Sequence, residues 1–418
     1  MAYKELKSLY FGNNEEYAQE YLNRFNSEDA IKIDFFIGKN QAFFLQNLEV
    51  MTLALQIEKL DKIIGDLCRN LPGVALSQYS KKCLIDEIVL TNKIEGVHSS
   101  RKEIGEALDI LEAQSIEKKG THSRFLGLVN KYLKLFDAEQ ISLQECKDIR
   151  GIYDEVFLEE VVQENPSNKP DGELFRKDAV SVYNETEKEI HKGLTPESEI
   201  IKAVDKALAF LNDDSVEELF RICAFHYFIE YIHPFYDGNG RLGRFLFSYG
   251  ISKNLCPLIA FRISETIKEN INAYYKAFTV CNDHRNLGDI TPFLIMQLKM
   301  ILSAMEELKK SLEERKATWK KYETAIEKDG GGDDNLGSLY SYLIQAALFS
   351  ENGISMQELT GVIGCSVYII RKLMEKIPND LIVVKKKGNT KFYNINLDTL
   401  NEKILKESVD ALGSGSKN

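Results

Sequence analysis

Within the twelve residues His233-Pro-Phe-Tyr-Asp-Gly-Asn-Gly-Arg-Leu-Gly-Arg244 stand an imidazole, a carboxylate, three glycines and two guanidinium groups. These are residue types that handle phosphate. Glycines at 238 and 240, on either side of Asn239, allow positive φ, so successive amides can face one concavity at the start of a helix. Such a concavity binds phosphate. Arg241 and Arg244 lie three apart on that helix and share a face, where two guanidinium groups can grip further phosphate oxygens. Asp237, at the mouth of the loop, is suited to holding Mg²⁺ between phosphates. His233, at the opposite lip, can take a proton from an incoming hydroxyl when its imidazole is neutral. Together they describe in-line attack on a nucleotide phosphate.

The elements that must position this loop are helical. Phe225-His-Tyr-Phe-Ile-Glu-Tyr-Ile232 reads as an apolar helix that stops at His233, because Pro234 has no amide hydrogen and restricts the residue before it. A second helix carries Phe245, Leu246 and Ile251 away from the loop. Apolar residues recur at helical spacing from about Asn40 to Leu135, again over Glu197–Leu211 and Val216–Ile232, and along one long helix from Thr291 to Ile326. After the turn-rich stretch Asn165–Gly172, the alternating runs Ala179–Tyr183 and Glu189–His191 predict a small hairpin.

Lys328-Asp-Gly-Gly-Gly-Asp-Asp-Asn335 has no apolar residue and reads as a linker. Beyond it, a helix over Leu339–Phe349 is followed by one that Ser355 can cap (Met356–Ile363), a turn at Gly364-Cys365, and one that Ser366 can cap (Val367–Lys376). Leu381–Val384 and Lys391–Ile395 then flank Lys385–Asn389 as a hairpin with a basic tip. Three helices and a two-stranded wing describe a winged helix. The predicted fold is mainly α: a helical bundle with a small β-hairpin, plus a C-terminal winged-helix domain. The expected divisions are an N-terminal segment 1–39, N-terminal helices 40–135, a catalytic core 136–326, a linker 327–335, a winged helix 336–405 and a frayed tail 406–418.

A chain of 418 residues is too long for one compact core. Its net charge of −11 argues against a protein that coats nucleic acid over its whole surface. Between Ser366 and Lys391, however, seven basic residues face two acidic ones, a local charge of +5. Seven scattered cysteines without a Cys-x-x-Cys pair argue against a disulfide framework or a zinc knuckle and suit a cytoplasmic protein. No run of eighteen uncharged apolar residues occurs, so neither secretion nor membrane spanning is expected. His226 and Glu230, four apart on an apolar helix, read as a satisfied polar edge, since no ligand set completes a metal site.

The 233–244 segment resembles the signature of the Fic family (filamentation induced by cAMP), His-x-Phe-x-Asp/Glu-Gly-Asn-Gly-Arg-x-x-Arg, at every fixed position. The resemblance implies transfer of AMP from ATP, with Mg²⁺, to a Ser, Thr or Tyr hydroxyl of a target protein. It makes His233 the general base, Asp237 the Mg²⁺ ligand, and Gly238, Asn239 and Gly240 the cradle for the α- and β-phosphates. Arg241 would hold the β-phosphate, Arg244 the γ-phosphate, and Phe235 would be packing that sets the loop's shape. A branch that phosphorylates its target carries Lys at the second glycine; Gly240 favours nucleotidyl transfer.

Thr91-Asn-Lys-Ile-Glu-Gly96 closes a helix, and Glu95 there faces the negative end of the helix dipole, unfavourable by up to about 1 kcal/mol without a cation. The segment resembles the family's inhibitory motif, Ser/Thr-x-x-x-Glu-Gly/Asn, which implies that Glu95 pairs with Arg244 and leaves ATP badly posed. The hairpin, through Val180, Ser181, Val182 and Tyr183, stands where the family's flap docks a target segment by strand addition. Tyr274, Tyr275 and Gly288–Pro292 also resemble family sequence, whereas Ile271 stands where many relatives have Arg. The resemblance spans about Asn40 to Leu312. Three alternatives stay open at this point: a regulated adenylyltransferase, a winged-helix DNA-binding regulator whose core senses nucleotide, and a hydrolase that removes AMP with the same site. Candidate partners are a hydroxyl-bearing target protein, duplex DNA at the winged helix, and a second copy of the chain.

Overall fold

The computed structural model describes residues 3–12, 14–112, 125–135, 140–183, 189–329, 334–387 and 390–403. Two compact units emerge, one formed by residues 1–64 and 84–308, the other by 65–83 and 309–418. Both are built mostly of helices.

The first unit contains a hairpin of β1 (Ala30–Ile37) and β2 (Asn40–Leu45). Ile33, Phe35 and Ile37 are buried while Lys32, Asp34 and Phe36 between them are exposed, the period-2 pattern of a half-buried strand. Gly38, at φ +60°, and Lys39 make the two-residue turn. This corrects the expectation of helix from Asn40 onward. Ala42-Phe-Phe-Leu45 is buried on every residue, and a short apolar run does not distinguish strand from helix by periodicity. The Gly288–Pro292 segment lies beside β2: the Phe43 amide donates to the Gly288 carbonyl (3.0 Å), and the Ile290 amide donates to the Phe43 carbonyl (2.8 Å).

Helices α1 (Leu48–Arg69) and α2 (Gly73–Ile94) follow; residues to Ile64 of α1 and from Leu84 of α2 belong to this unit. After them come α3 (Cys146–Val156), α4 (Leu158–Glu164), a hairpin of β3 (Ser181–Tyr183) and β4 (Glu189–Lys192), then α5 (Glu197–Leu211), α6 (Glu218–Ile232), α7 (Asn239–Asn254), α8 (Ile271–Cys281) and α9 (Thr291–Asp329), which leaves the unit after Leu308. In α6 every residue but Glu218, Arg221 and Glu230 is buried, so this helix is apolar all round and forms the centre of the unit. Its partner α7 is buried from Asn239 to Tyr249. The two pack closely because Gly250 presents no side chain: a Cβ there would lie 2.8 Å from Cγ2 of the buried Ile222.

The second unit holds α10 (Asp334–Phe349), β5 (Ile354–Ser355), α11 (Met356–Ile363), α12 (Val367–Lys376), β6 (Ile382–Lys387) and β7 (Thr390–Ile395). Ser355 and Glu358 form a reciprocal capping box on α11, Gly364 ends it left-handed, and Ser366 caps α12. The strands form an antiparallel sheet in the order β5-β7-β6, one strand more than the predicted wing, because Ile354 and Ser355 pair with Tyr393 and Phe392. Leu339, Leu343, Ile370 and Leu373 anchor its core. The segment 327–335, expected as linker, is helical at both ends: α9 runs to Asp329 and α10 starts at Asp334. Residues 330–333, the Gly388-Asn389 hairpin tip and the tail 406–418 lie outside the described residues. The seven cysteines stand as thiols rather than disulfides, and among the described residues no helix is long and apolar enough to cross a membrane.

Replacing Gly250 with Val should force α6 and α7 apart and lower unfolding free energy by about 2 kcal/mol, the usual cost of overpacking a buried contact, measured by denaturant titration.

Candidate active site

Helix α6 ends where Pro234 denies it a further amide, and His233 takes a left-handed conformation (φ +53°) as its C-cap. Nδ1 of His233 is enclosed and makes no hydrogen bond. Burial, with His191 and Arg176 nearby, holds this imidazole down at about 3, against a weaker pull upward from the Glu230 backbone. It is therefore neutral at physiological pH, the form that accepts a proton.

The loop closes through Asn239, whose side chain accepts from the Phe235 amide and donates to the Phe235 carbonyl, both at 2.9 Å. Phe235 is fully buried and stacks on Tyr153 with ring centres 3.6 Å apart. The Tyr153 hydroxyl donates to the Asp237 carbonyl (3.1 Å). One oxygen of the Asp237 side chain accepts from the Gly238 amide (2.6 Å), and the other meets Nδ2 of Asn168 at 3.4 Å. Gly238 carries the left-handed turn (φ +78°), after which α7 begins. The amides of Asn239, Gly240 and Arg241 then lack acceptors within their own helix and make its first turn an anion site.

A carboxylate lies beside that turn. A Cβ on Gly240 would run into the carboxylate of Glu95, so only glycine admits that group against the first turn of α7. Glu95 directly follows α2, whose chain turns left-handed at Gly96 (φ +72°). Its Oε1 lies 2.8 Å from Nη2 of Arg244. The same guanidinium donates from Nε to Thr91 Oγ1 (2.8 Å) and from Nη2 to the Thr91 carbonyl (3.2 Å). Arg244 is 1% exposed, so these contacts replace its water. Two further carboxyls, Glu87 and Glu230, interact with it electrostatically, but burial pushes them up to about 7 and about 8. Near neutral pH much of their charge is suppressed, and Glu95 supplies the direct ion pair.

Residues 144–250 match the Fic/DOC family. The chain carries a Fic/DOC family domain. Similar solved structures include a Fic family protein from Desulfovibrio desulfuricans G20 (20% identity, 84% of this chain and 96% of that one, TM-score 0.49). Fic-1 from C. elegans matches at 20% identity over 63% of this chain and 73% of that one (TM-score 0.42). A Fic domain containing signaling protein from Bacteroides thetaiotaomicron matches at 16% identity over 62% of this chain and 97% of that one (TM-score 0.42).

Within the Fic/DOC domain, several residues sit differently from their sequence expectation. Only Gly238 of the two loop glycines uses positive φ; Gly240 is already helical and serves by leaving room for an anion. The Asn239 side chain is spent on clasping the loop, which leaves its amide for a ligand. Arg241 and Arg244 do not converge on one partner. Arg241 is buried against Glu160 of α4 (Nη1 to Oε2, 3.0 Å) and over the Phe157 ring, whereas Arg244 faces Thr91 and Glu95. Three residues along a helix leave a 60° offset, enough to send two long side chains to different neighbours.

The predicted hairpin is present, with Ser181 opposite Lys192 and Val182 opposite His191; of Tyr183 only the backbone is described. His226 is partnered on one side only, Nε2 with the Tyr274 hydroxyl (2.8 Å), and Oε1 of Glu230 is enclosed without a partner. Tyr274 is buried and Tyr275 is exposed. Sequence reasoning missed Tyr153, Glu160, Asn168 and Arg176, which reach the Fic/DOC loop from segments 57 or more residues upstream with no motif to announce them.

The depressed His233 fixes a sign for stability. Its folded-state value lies below the ordinary 6.5, so its contribution is present above pH 6.5 and is lost as pH falls toward 3. Relative to His233→Ala, the wild type should lose about 1.4 kcal/mol of unfolding free energy per pH unit below 6.5, read from denaturant titrations at pH 7.0 and 5.5.

Proposed function

We propose that this protein transfers AMP from ATP to a hydroxyl side chain of a target protein, and that Glu95 holds the activity in check. The observation that carries this is the Glu95 carboxylate lying against Gly240 in the first turn of α7 and paired with Arg244. A nucleotide phosphate and Glu95 then compete for the same positive charge.

The residues fit a bound triphosphate. The first turn of α7 offers free amides, the loop has no side chain at Gly240, and a neutral imidazole stands at the far lip. They also fit Mg²⁺ bound with the nucleotide, which would draw on one or two protein carboxylates and take its remaining ligands from phosphate and water. Asp237 is such a carboxylate, and no cluster of three or more acidic, His or Cys ligands occurs among the described residues. A Mg²⁺ bound there would neutralise charge on the leaving diphosphate.

In the reaction, the target hydroxyl oxygen attacks the α-phosphorus. A new P–O bond forms as the bond to the bridging oxygen breaks and pyrophosphate leaves. His233 takes the hydroxyl proton. Amides of the α7 first turn meet the charge that develops on the phosphoryl oxygens. With Glu95 withdrawn, Arg244 is free to orient the terminal phosphate; with Glu95 in place it is not.

Glu95→Gly should raise AMP transfer roughly tenfold or more, the scale of a broken inhibitory coupling, measured with α-labelled ATP and lysate proteins. His233→Ala should abolish labelling in both backgrounds, and equal labelling by wild type and Glu95→Gly would remove the inhibitory role.

A second reading concerns the second unit alone: a winged helix that binds duplex DNA through α12 and the β6–β7 hairpin. Its support is the exposure of Arg371, Lys372, Lys385 and Lys386 on those elements. Val367, Tyr368 and Ile369, exposed at the start of α12, offer apolar rather than hydrogen-bonding contacts to base edges. Duplex binding should weaken steeply with salt and disappear when Lys385, Lys386 and Lys387 become Ala, as measured by fluorescence anisotropy; salt-independent binding would exclude it.

A further inference from the structure

Arg176 is fully buried, and no carboxylate forms a salt bridge with it among the described residues. Its three nitrogens instead donate to three backbone carbonyls: Nε to His233 (2.9 Å), Nη1 to Asp178 (2.5 Å) and Nη2 to Leu194 (2.9 Å). Asp178 precedes β3 and Leu194 follows β4, so one guanidinium ties both feet of the hairpin to the residue that carries the imidazole. The backbone repeats the tie. The Arg176 amide donates to the Pro234 carbonyl (3.3 Å), the Leu194 amide to the Ile232 carbonyl (3.1 Å), and the Gly193 amide to the Val180 carbonyl (2.9 Å).

Two further observations converge on this point. A Cβ on Gly193 would run into Nη2 of Arg176 and Cβ of His233, so the returning strand is seated against both. His191 of β4 contacts the Tyr231 carbonyl through Nε2 (2.6 Å) and Nδ2 of Asn282 through Nδ1 (3.3 Å). Because Oδ1 of Asn282 accepts from the Tyr227 hydroxyl (2.7 Å), its amide donates to His191, which leaves Nε2 as the donor to Tyr231.

We propose that Arg176 is a positioning residue that locks the β3–β4 hairpin to the His233 backbone, so that a peptide strand added to the hairpin presents its hydroxyl in register with the imidazole. This rests on the transfer reading above. A left-handed non-glycine residue persists only where its surroundings over-determine it, and the Arg176 fork is what holds the His233 carbonyl. Lysine cannot substitute: a single ammonium on a flexible stem does not span three carbonyls in the plane of a guanidinium.

The test places Arg176→Lys in the Glu95→Gly background. Three quantities are measured: labelling of lysate proteins from saturating α-labelled ATP, affinity for Mg²⁺-ATP by calorimetry, and amide hydrogen exchange over residues 178–194. Labelling should fall about tenfold or more, as expected for a misplaced acceptor, while nucleotide affinity stays within about twofold and exchange across the hairpin accelerates. Unchanged labelling overturns the proposal, as does a parallel loss of labelling, nucleotide affinity and melting temperature, which is what a merely structural role gives. If Arg176→Lys does not fold, Gly193→Ala, which crowds the same fork, is expected to show the same split between labelling and nucleotide affinity. Should Glu95→Gly with Arg176 intact label nothing, the transfer reading fails by itself; accelerated exchange in Arg176→Lys would still uphold the clamp, and unchanged exchange would end it.

Discussion

A guanidinium removed from water must be given a counter-charge or a fork of acceptors, and the loop of the first unit is surrounded by such groups. Arg244 receives Glu95, the Thr91 hydroxyl and the Thr91 carbonyl. The same contact resolves an awkwardness at the end of α2. A carboxylate there opposes its own helix dipole, but reaching across to Arg244 also brings it to the positive end of α7. One ion pair thereby fixes the end of α2, sets a carboxylate beside the first turn of α7 and neutralises the cation next to it. Its two partners are unequal in exposure, Arg244 at 1% and Glu95 at 32%, so the carboxylate is the member with access to solvent and the one able to leave.

Arg176 answers the same requirement in the other way. With no carboxylate paired to it among the described residues, it is satisfied by carbonyls, which come from three separate places in the chain. Burial of this cation close to His233 also helps keep the imidazole unprotonated. Packing and chemistry are therefore not separable at the loop. The residues that hold its shape (Tyr153, Asn239, Arg176) surround those suited to reaction (His233, Asp237, the amides of α7), and both sets depend on two consecutive buried helices interrupted by one proline.

Much of this was legible in the chain. Pro234 ends α6, Ser355 and Ser366 begin the helices they were expected to begin, and the strands of the 181–192 hairpin follow from two alternating runs. The first hairpin went unseen because β2 is apolar on successive residues, although the alternation Ile31-Lys-Ile-Asp-Phe35 and the Gly38-Lys39 turn were signals that could have found it. Strand β5 is two residues long and has no periodicity to read.

Local sequence determined the loop: a helix stop, a left-handed glycine, a new helix with unpaired amides, and residue types suited to phosphate. These follow from backbone sterics and short-range hydrogen bonding, which act within a few residues. Only the tertiary structure decided which charges meet. That Arg241 turns to Glu160 while Arg244 turns to Glu95, that His233 is held neutral, and that Arg176 lies beneath the hairpin all depend on segments brought together from distant parts of the chain, where burial raises the cost of every unpaired charge.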